Sequence, residues 1–350
     1  MQLRQRAAAL LATGTLAVTA LLPATTASAD TPAPGGTRRP DAAAAGWLAR
    51  QLVDGDHFET VFDGTAYPDQ GLTVDAVLAL AAARTADGAA ARATSWLARP
   101  DVLTGYIGDG ATEAYAGATA KLLLAAEVRG TDPTTFGGVD LPARLRSLQT
   151  PAGRFSDRSQ WGDYSNAFGQ SYALLALDRT PAGAPAAAVD FLAGSQCADG
   201  GFPLNFGQPT CASDPDATAL AAQALAVTGR HAKARAGLTW LAGHQLPGGG
   251  LAAAGAVNGN ANTTGLAAQA LLSGAHLPAG LKARTFLTGL QAGCTAPTAD
   301  RGAVAYDATG PNPATAKRAT AQAVLGLAGT GLAHLTAHGA RPDTPTLSCP

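Results

Sequence analysis

Asp214 and Asp216 stand two residues apart in the run Asp214-Pro215-Asp216-Ala217-Thr218, at the head of a stretch of Ala and Leu. An acid in that place can give a proton to a substrate, or it can accept backbone N–H groups as a helix cap. Five other positions look alike: Asp69, Glu113, Asn166, Asn262 and Thr315 each open a similar stretch. All six are polar and suit an N-cap, and capping explains them together, so it is the preferred reading of Asp216. Seven residues further on, about two turns and so on the cap's face, stand Gln223, Gln269 and Gln322 in consecutive stretches. Ala76, Ala120 and Ala173 hold that place in the other three. Such a one-sided amide wall suits a lumen holding a partly polar ligand, and equally suits amides bonded to a neighbouring helix.

Other chemistry finds little support. Gly169-Gln170-Ser171-Tyr172-Ala173 looks like a nucleophile elbow but ends in Ala and falls inside a helical stretch. Gly248-Gly249-Gly250 lacks the Lys-Ser/Thr of a phosphate loop. No C-x2-C spacing occurs and the six His are scattered, so no metal site and no cofactor are expected. The chain has 24 Lys+Arg against 25 Asp+Glu and is only 14% charged, which excludes a basic nucleic-acid binder.

The elements that must position these residues repeat six times. Leu48, Leu97, Leu145, Leu192, Leu241 and Leu287 recur every 46 to 49 residues, each near the end of a short amphipathic stretch. A Gly/Pro/Asp-rich loop follows each, then one of the six Ala/Leu stretches. Those stretches are apolar on nearly every face and must be buried. Twelve helices in six pairs, one set buried, predict an all-α (α/α)6 toroid, a single barrel closed on itself over residues 41–335. Its mouth gathers Asp69, Glu113, Asn166, Asp216, Asn262 and Thr315 with six helix N-termini, each equivalent to roughly half a positive charge. The bordering loops hold most of the aromatics, among them Phe58, Phe62, Tyr67, Tyr106, Phe155, Trp161, Tyr164, Phe202, Phe206 and Tyr306. Loops on a rigid ring are where recognition usually sits.

Residues 1–29 have the three parts of a secretory signal: Arg4 and Arg6, an apolar run from Ala7 to Leu22, and Ala27-Ser28-Ala29. Residues 30–40 read as a flexible leader and 336–350 as a polar tail, with no stable membrane anchor at either end. Outside the cell four cysteines should pair, in one of three connectivities. Cys197 and Cys211 flank one loop and are assigned to each other, which leaves Cys294 for Cys349.

The loops carry a recognisable pattern. Phe191-Leu192-x3-Gln196-x3-Gly200-x-Phe202 fits aromatic, aliphatic, Gln, Gly, aromatic at fixed spacing. Leu145-x3-Gln149-x3-Gly153-x-Phe155 and Trp240-Leu241-x3-Gln245-x3-Gly249-x-Leu251 fit in part. This resembles the QW motif of the terpenoid cyclase/prenyltransferase superfamily, whose fold is the α/α toroid. The resemblance implies that the Gln bonds the loop backbone while the last residue packs beneath it. It also implies a test of Asp216, because class II cyclases protonate an alkene with the middle acid of D-x-D-D-T. Asp216 holds that place, but Ala217 replaces the last acid. Protein prenyltransferases hold zinc with Asp, Cys and His, and no Asp-x-Cys pair occurs here.

The expected function is therefore that of a secreted, monomeric toroid binding a small, apolar or amphiphilic ligand at its mouth without catalysis. Asp69, Glu113, Asn166, Asp216, Asn262, Gln223, Gln269 and Gln322 are its expected ligand-binding residues. The alternatives are a cyclase-like isomerase using Asp214 and Asp216, a glycan-active enzyme, and a protein-interaction scaffold. Asp69 and Asp216 would face each other across the ring, too wide for the roughly 5–9.5 Å of glycosidase carboxylates. A closed aromatic cavity around Asp216 would favour the cyclase. An outward-opening cavity lined by the Gln wall would favour the binder, and a filled lumen the scaffold.

Overall fold

The computed structural model describes residues 36–350. The expected secretion signal and the leader up to residue 35 lie outside the described residues. The first helices are α1 (Pro40–Arg50), α2 (Gln70–Ala83), α3 (Asp87–Leu97), α4 (Pro100–Ile107), α5 (Ala116–Arg129) and α6 (Leu141–Arg146). Then come α7 (Ala167–Leu177), α8 (Ala186–Gly194), α9 (Pro215–Val227), α10 (His231–Gly243), α11 (Ala261–Ser273), α12 (Leu277–Gly289) and α13 (Pro313–Ala328).

Six of these form an inner ring. α2 packs on α5, α5 on α7, α7 on α9, α9 on α11, α11 on α13, and α13 returns to α2. The ring is closed, a single (α/α)6 barrel. Helix α2 is buried without a break from Leu72 to Ala83, as an inner helix of Ala and Leu must be. The outer helices bury one stripe: in α12 it is Gly280, Ala283 and Leu287. Outer helix α1 packs against both α13 and α2 and so spans the closing seam. Among the described residues, strand pairing forms three two-stranded ladders and isolated bridges, all outside the barrel helices.

The glutamines of the loop pattern act as ties between repeats. Gln196 donates to the carbonyls of Gly200 (2.8 Å) and Lys233 (2.9 Å), Lys233 lying in the next outer helix. Gln245 does the same to Gly249 and Ala279, both at 2.8 Å. Gln291 reaches Gly302 (3.2 Å) and Pro40 (2.8 Å), tying the sixth repeat back to the first. At Gly249 and Gly302 the backbone has φ of +90° and +97°, and a Cβ would strike the carbonyls of Lys282 and Ala43. Only glycine lets the loop lie that close to the next helix.

Beneath each of the three ties, and in two further loops, an apolar residue plugs the loop: Phe58, Phe155, Phe202, Leu251 and Val304 are all buried. A buried hydroxyl one turn inside an inner helix takes the plug's backbone N–H in four loops. Thr73 accepts from Phe58 (3.0 Å), Thr218 from Phe202 (2.8 Å), Thr264 from Leu251 and Thr320 from Val304 (both 2.9 Å). In the remaining loop Gln170 of α7 accepts from Phe155 at 2.9 Å.

The far end of the barrel is closed by the segment after α13. Arg179 donates to the carbonyls of Leu332, Ala333 and Leu335, and Ala337 N–H bonds Val128 at the end of α5. The chain then bonds Arg84 and Ala86 after α2. It ends in a parallel ladder of Thr346–Leu347 with Gly36–Thr37, the described start of the leader. Disulfides join Cys197 to Cys211 and Cys294 to Cys349, as assigned from the sequence. No helix among the described residues is long and apolar enough to cross a membrane.

Candidate functional site

Helix capping sets the register of the mouth. Asp69 caps α2, accepting from Leu72 N–H at 2.8 Å, and Asn166 caps α7, accepting from Phe168 at 3.0 Å. The caps of the next three inner helices are Asp214, Asn260 and Asn312. Helix α5 starts after Tyr115 with no cap of its own, and Asp157 from the following loop accepts its Ala116 N–H at 2.7 Å.

Two residues past this register lie Gly71, Gly117, Phe168, Asp216, Asn262 and, counting back from Thr320, Arg318. One turn deeper lie Asp75, Lys121, Tyr172, Leu220, Leu266 and Gln322. Charge gathers on the first, second and last inner helices. Lys121 pairs with Asp75 at 2.5 Å and also donates to the Gly71 carbonyl at 3.2 Å. Arg318 reaches Asp69 at 2.9 Å and Asp75 at 3.7 Å, so an ionic chain crosses the closing seam. Buried charges persist only when paired in this way.

Gly117 of α5 and Gly169 of α7, which face each other, leave room. A cleft of about 280 Å³ opens at the mouth over α5, walled by Tyr106, Tyr115, Tyr164, Phe168 and Tyr172 with Lys121 at its base. Four of the chain's six tyrosines meet there. The Lys121 ammonium sits 5.9 Å from the Tyr172 ring centre. Burial, followed by the charge of Asp75, pushes the Tyr106 and Tyr172 hydroxyls up, so both stay protonated donors. Burial likewise raises Asp157 above its ordinary value. Three larger hollows lie elsewhere: one of about 400 Å³ beside Phe191 and Cys211, one of about 620 Å³ beside Trp47 and Lys317 at the outer seam, and one of about 730 Å³ beside Glu127 and Arg179. Burial lifts the Glu127 carboxyl to about 7, an effect Arg179 opposes.

No protein-family model and no curated protein matches the sequence. Solved structures do. Type II terpene cyclase MstE from Scytonema superposes with a TM-score of 0.60 at 17% identity, over 83% of this chain and 96% of that one. A protein from Actinoplanes gives 0.58 at 18%, over 83% and 98%. Unsaturated glucuronyl hydrolase from Bacillus sp. GL1 gives 0.58 at 13%, over 83% and 95%. The fold is an α/α toroid, shared with the cyclase and the hydrolase.

The toroid brings together fewer of the expected residues than their spacing suggested. Asn166 lines the cleft, and Glu113 borders it, accepting from the Tyr115 hydroxyl at 3.1 Å and from Gln160 N–H at 3.2 Å. Asp69 caps α2 and holds Arg318. Glu113 caps nothing, because α5 begins after Tyr115. Asp216 and Asn262 are not caps either: each lies two residues beyond the true one, and Thr315 lies three beyond Asn312. One carboxyl oxygen of Asp216 is buried without a hydrogen-bond partner, as is the side-chain oxygen of Asn262. Burial, then the neighbouring Asp214, lifts the Asp216 carboxyl to about 6. Asp214 is itself occupied, accepting from Ala217 N–H at 2.8 Å.

The amide wall does not line the cleft. Gln223 accepts from Leu332 N–H at 2.8 Å and anchors the far-end segment. Gln269 is fully buried with neither end of its amide bonded, and Gln322 stands in a different register, one turn nearer the mouth. Sequence reasoning missed Asp75, Lys121 and Arg318. Their signal was charge placed inside otherwise apolar inner helices. It also missed Tyr115 and Tyr172, which no pattern marked.

Proposed function

We propose that this toroid is a secreted protein that binds a small, partly apolar ligand in the tyrosine cleft at its mouth, without catalysis. The convergence of four tyrosines on one outward-opening cleft carries this reading. Tyrosine offers a large apolar face and a hydroxyl at low entropic cost, which is why it recurs at recognition surfaces. Secretion is supported by the two disulfides, which belong to oxidising compartments. The cleft's one ammonium is already shared between Asp75 and the Gly71 carbonyl, so it is a framework charge and no free acid or base.

A cyclase-like isomerase is the second reading, favoured by one observation: Asp216 is a half-buried acid with one oxygen out of water, lifted to about 6, at the place of the cyclases' proton donor. Against it, Ala217 replaces the last acid and Asp216 lines none of the hollows described above.

Native mass spectrometry of protein secreted by its own producing cells tests the binding reading. A bound mass is expected that is lost in Gly117→Leu, whose side chain would fill the cleft while its Cβ meets Gly169 at an ordinary 3.5 Å. Turnover of geranylgeranyl substrates that disappears in Asp216→Asn would replace binding by the isomerase.

A further inference from the structure

The closing seam holds a second hollow. The loop that joins α12 to α13, residues 290–312, runs from the last repeat against the first, and about 620 Å³ stays open between it, α1 and the head of α13. That volume falls among small-molecule sites, which span roughly 300–1,000 Å³. The wall is held in place at several points. Trp47 of α1 donates its indole N–H to the Ala299 carbonyl at 3.0 Å. Ala292 N–H bonds the Ala303 carbonyl at 2.7 Å, and its own carbonyl takes Gly302 N–H at 2.9 Å. The bridge from Cys294 to Cys349 fastens the same loop to the tail. A hollow built on a fixed frame loses little freedom when it is filled.

Its wall mixes apolar surface with charges of both signs. Trp47, Leu290 and Val304 give the apolar part, while Asp300, Asp307 and Lys317 line the same space. Tyr306, between the lining residues Ala305 and Asp307, packs instead on the core. Arg301 stands at the edge, donating from Nε to the carbonyl of the lining residue Ala296 at 3.1 Å. Two cations therefore meet two carboxylates. Among the described residues none of the four makes an ion pair within 4.0 Å, with one another or with any other group. The next cations along these helices are engaged elsewhere, Arg318 with Asp69 and Asp75 and Arg50 with the Pro345 carbonyl. The Thr309 hydroxyl and N–H hold the Asp307 carboxyl below its ordinary range, so it stays ionised. Asn312 and Pro313 place the head of α13 in the wall, which adds partial positive charge near Lys317.

This balance selects the guest. A guest of one sign would meet as many repelling groups as attracting ones. An uncharged guest would strip water from the charges and put nothing in its place. A guest with one charge of each sign answers both sets. Among the described residues the side chains of Gln51 and Thr295, both in the wall, have no hydrogen-bond partner. Asn312 spends only its oxygen, on Ala314 N–H, and keeps its amide N–H groups. Donors and acceptors of that kind suit the alternating N–H and C=O of a peptide backbone.

We propose that the seam hollow binds a short zwitterionic peptide, its ammonium against Asp300 and Asp307, its carboxylate against Lys317 at the head of α13, and an apolar side chain on Trp47 and Leu290. This site shares no residue with the tyrosine cleft and does not depend on it. Isothermal titration of the full secreted protein with alanyl-leucyl-alanine tests it, alongside the N-acetyl and the C-terminal amide forms of the same tripeptide. The free tripeptide should bind, and each blocked form should bind at least tenfold more weakly. Lys317→Met should weaken the free tripeptide about tenfold and the amide form no further. Asp300→Asn should weaken the free tripeptide severalfold and the N-acetyl form no further. Melting temperatures should stay unchanged, because Asp300 is exposed and Lys317 half-exposed. Equal affinity for all three peptides would overturn the proposal. So would undiminished binding in both variants, or no binding of the free tripeptide.

Discussion

Asp216 is half-buried at the head of α9, beside Asp214 and with one carboxyl oxygen buried and unbonded. Its folded-state pKa of about 6 lies above the ordinary value near 4. Its contribution to stability is therefore fully present below about pH 4 and is lost as the pH rises through about 6. Asp216→Asn should leave stability unchanged below pH 4 and raise it at pH 8 by on the order of 2–3 kcal/mol. Denaturant unfolding of both proteins at the two pH values checks this. The misplacement of Asp216 as a cap was avoidable. Pro215 at the first helical position marks Asp214 as the cap, and Pro313 marks Asn312 in the same way. No such mark separates Asn260 from Asn262, since either amide can cap and no proline follows.

At the scale of elements, the repeat was legible because burial forces it. Ala and Leu on all faces demand an inner helix, and the Gln-x3-Gly-x-aromatic spacing demands a tie and a plug. The hydroxyl beneath each plug was not read, although Thr73, Thr218, Thr264 and Thr320 share one place in the true register. A frame set by the wrong cap hides that column. Thr218→Val keeps the shape but leaves Phe202 N–H buried without an acceptor, which should cost about 1–3 kcal/mol. Thr119→Val is the matched control, because Thr119 bonds only the Tyr115 carbonyl of its own first turn. Unfolding midpoints that fall equally in both would show that the loop staple adds nothing. The cleft itself was hardly legible. It depends on Gly117 and Gly169 falling side by side in neighbouring repeats, and on Tyr106 and Tyr172 arriving from different elements. The packing of successive repeats, α4 and α7 against α5, brings those together.

At the scale of the molecule, the barrel has one open end. The last residues cross the far end, tie to Arg179 and Gln223, and finish in the disulfide of Cys294 with Cys349, 55 residues apart. A loop of that length is worth about 4 kcal/mol of chain entropy in the unfolded state. Cys349→Ser should lower stability by a few kcal/mol. It should also speed amide exchange first in residues 332–347, with ligand binding at the mouth unchanged. Loss of mouth binding in that variant would mean that the two ends are not independent.

The measurement that tests the mouth most directly is fluorine NMR of the protein carrying 3-fluorotyrosine at its six tyrosines, titrated with an extract of the producing culture. The resonances of Tyr106, Tyr115, Tyr164 and Tyr172 should move together on one saturation curve while Tyr306 stays fixed, with every component of the extract recovered unchanged. Four silent cleft tyrosines, or a component converted to product as they shift, would contradict a ligand-binding mouth without catalysis.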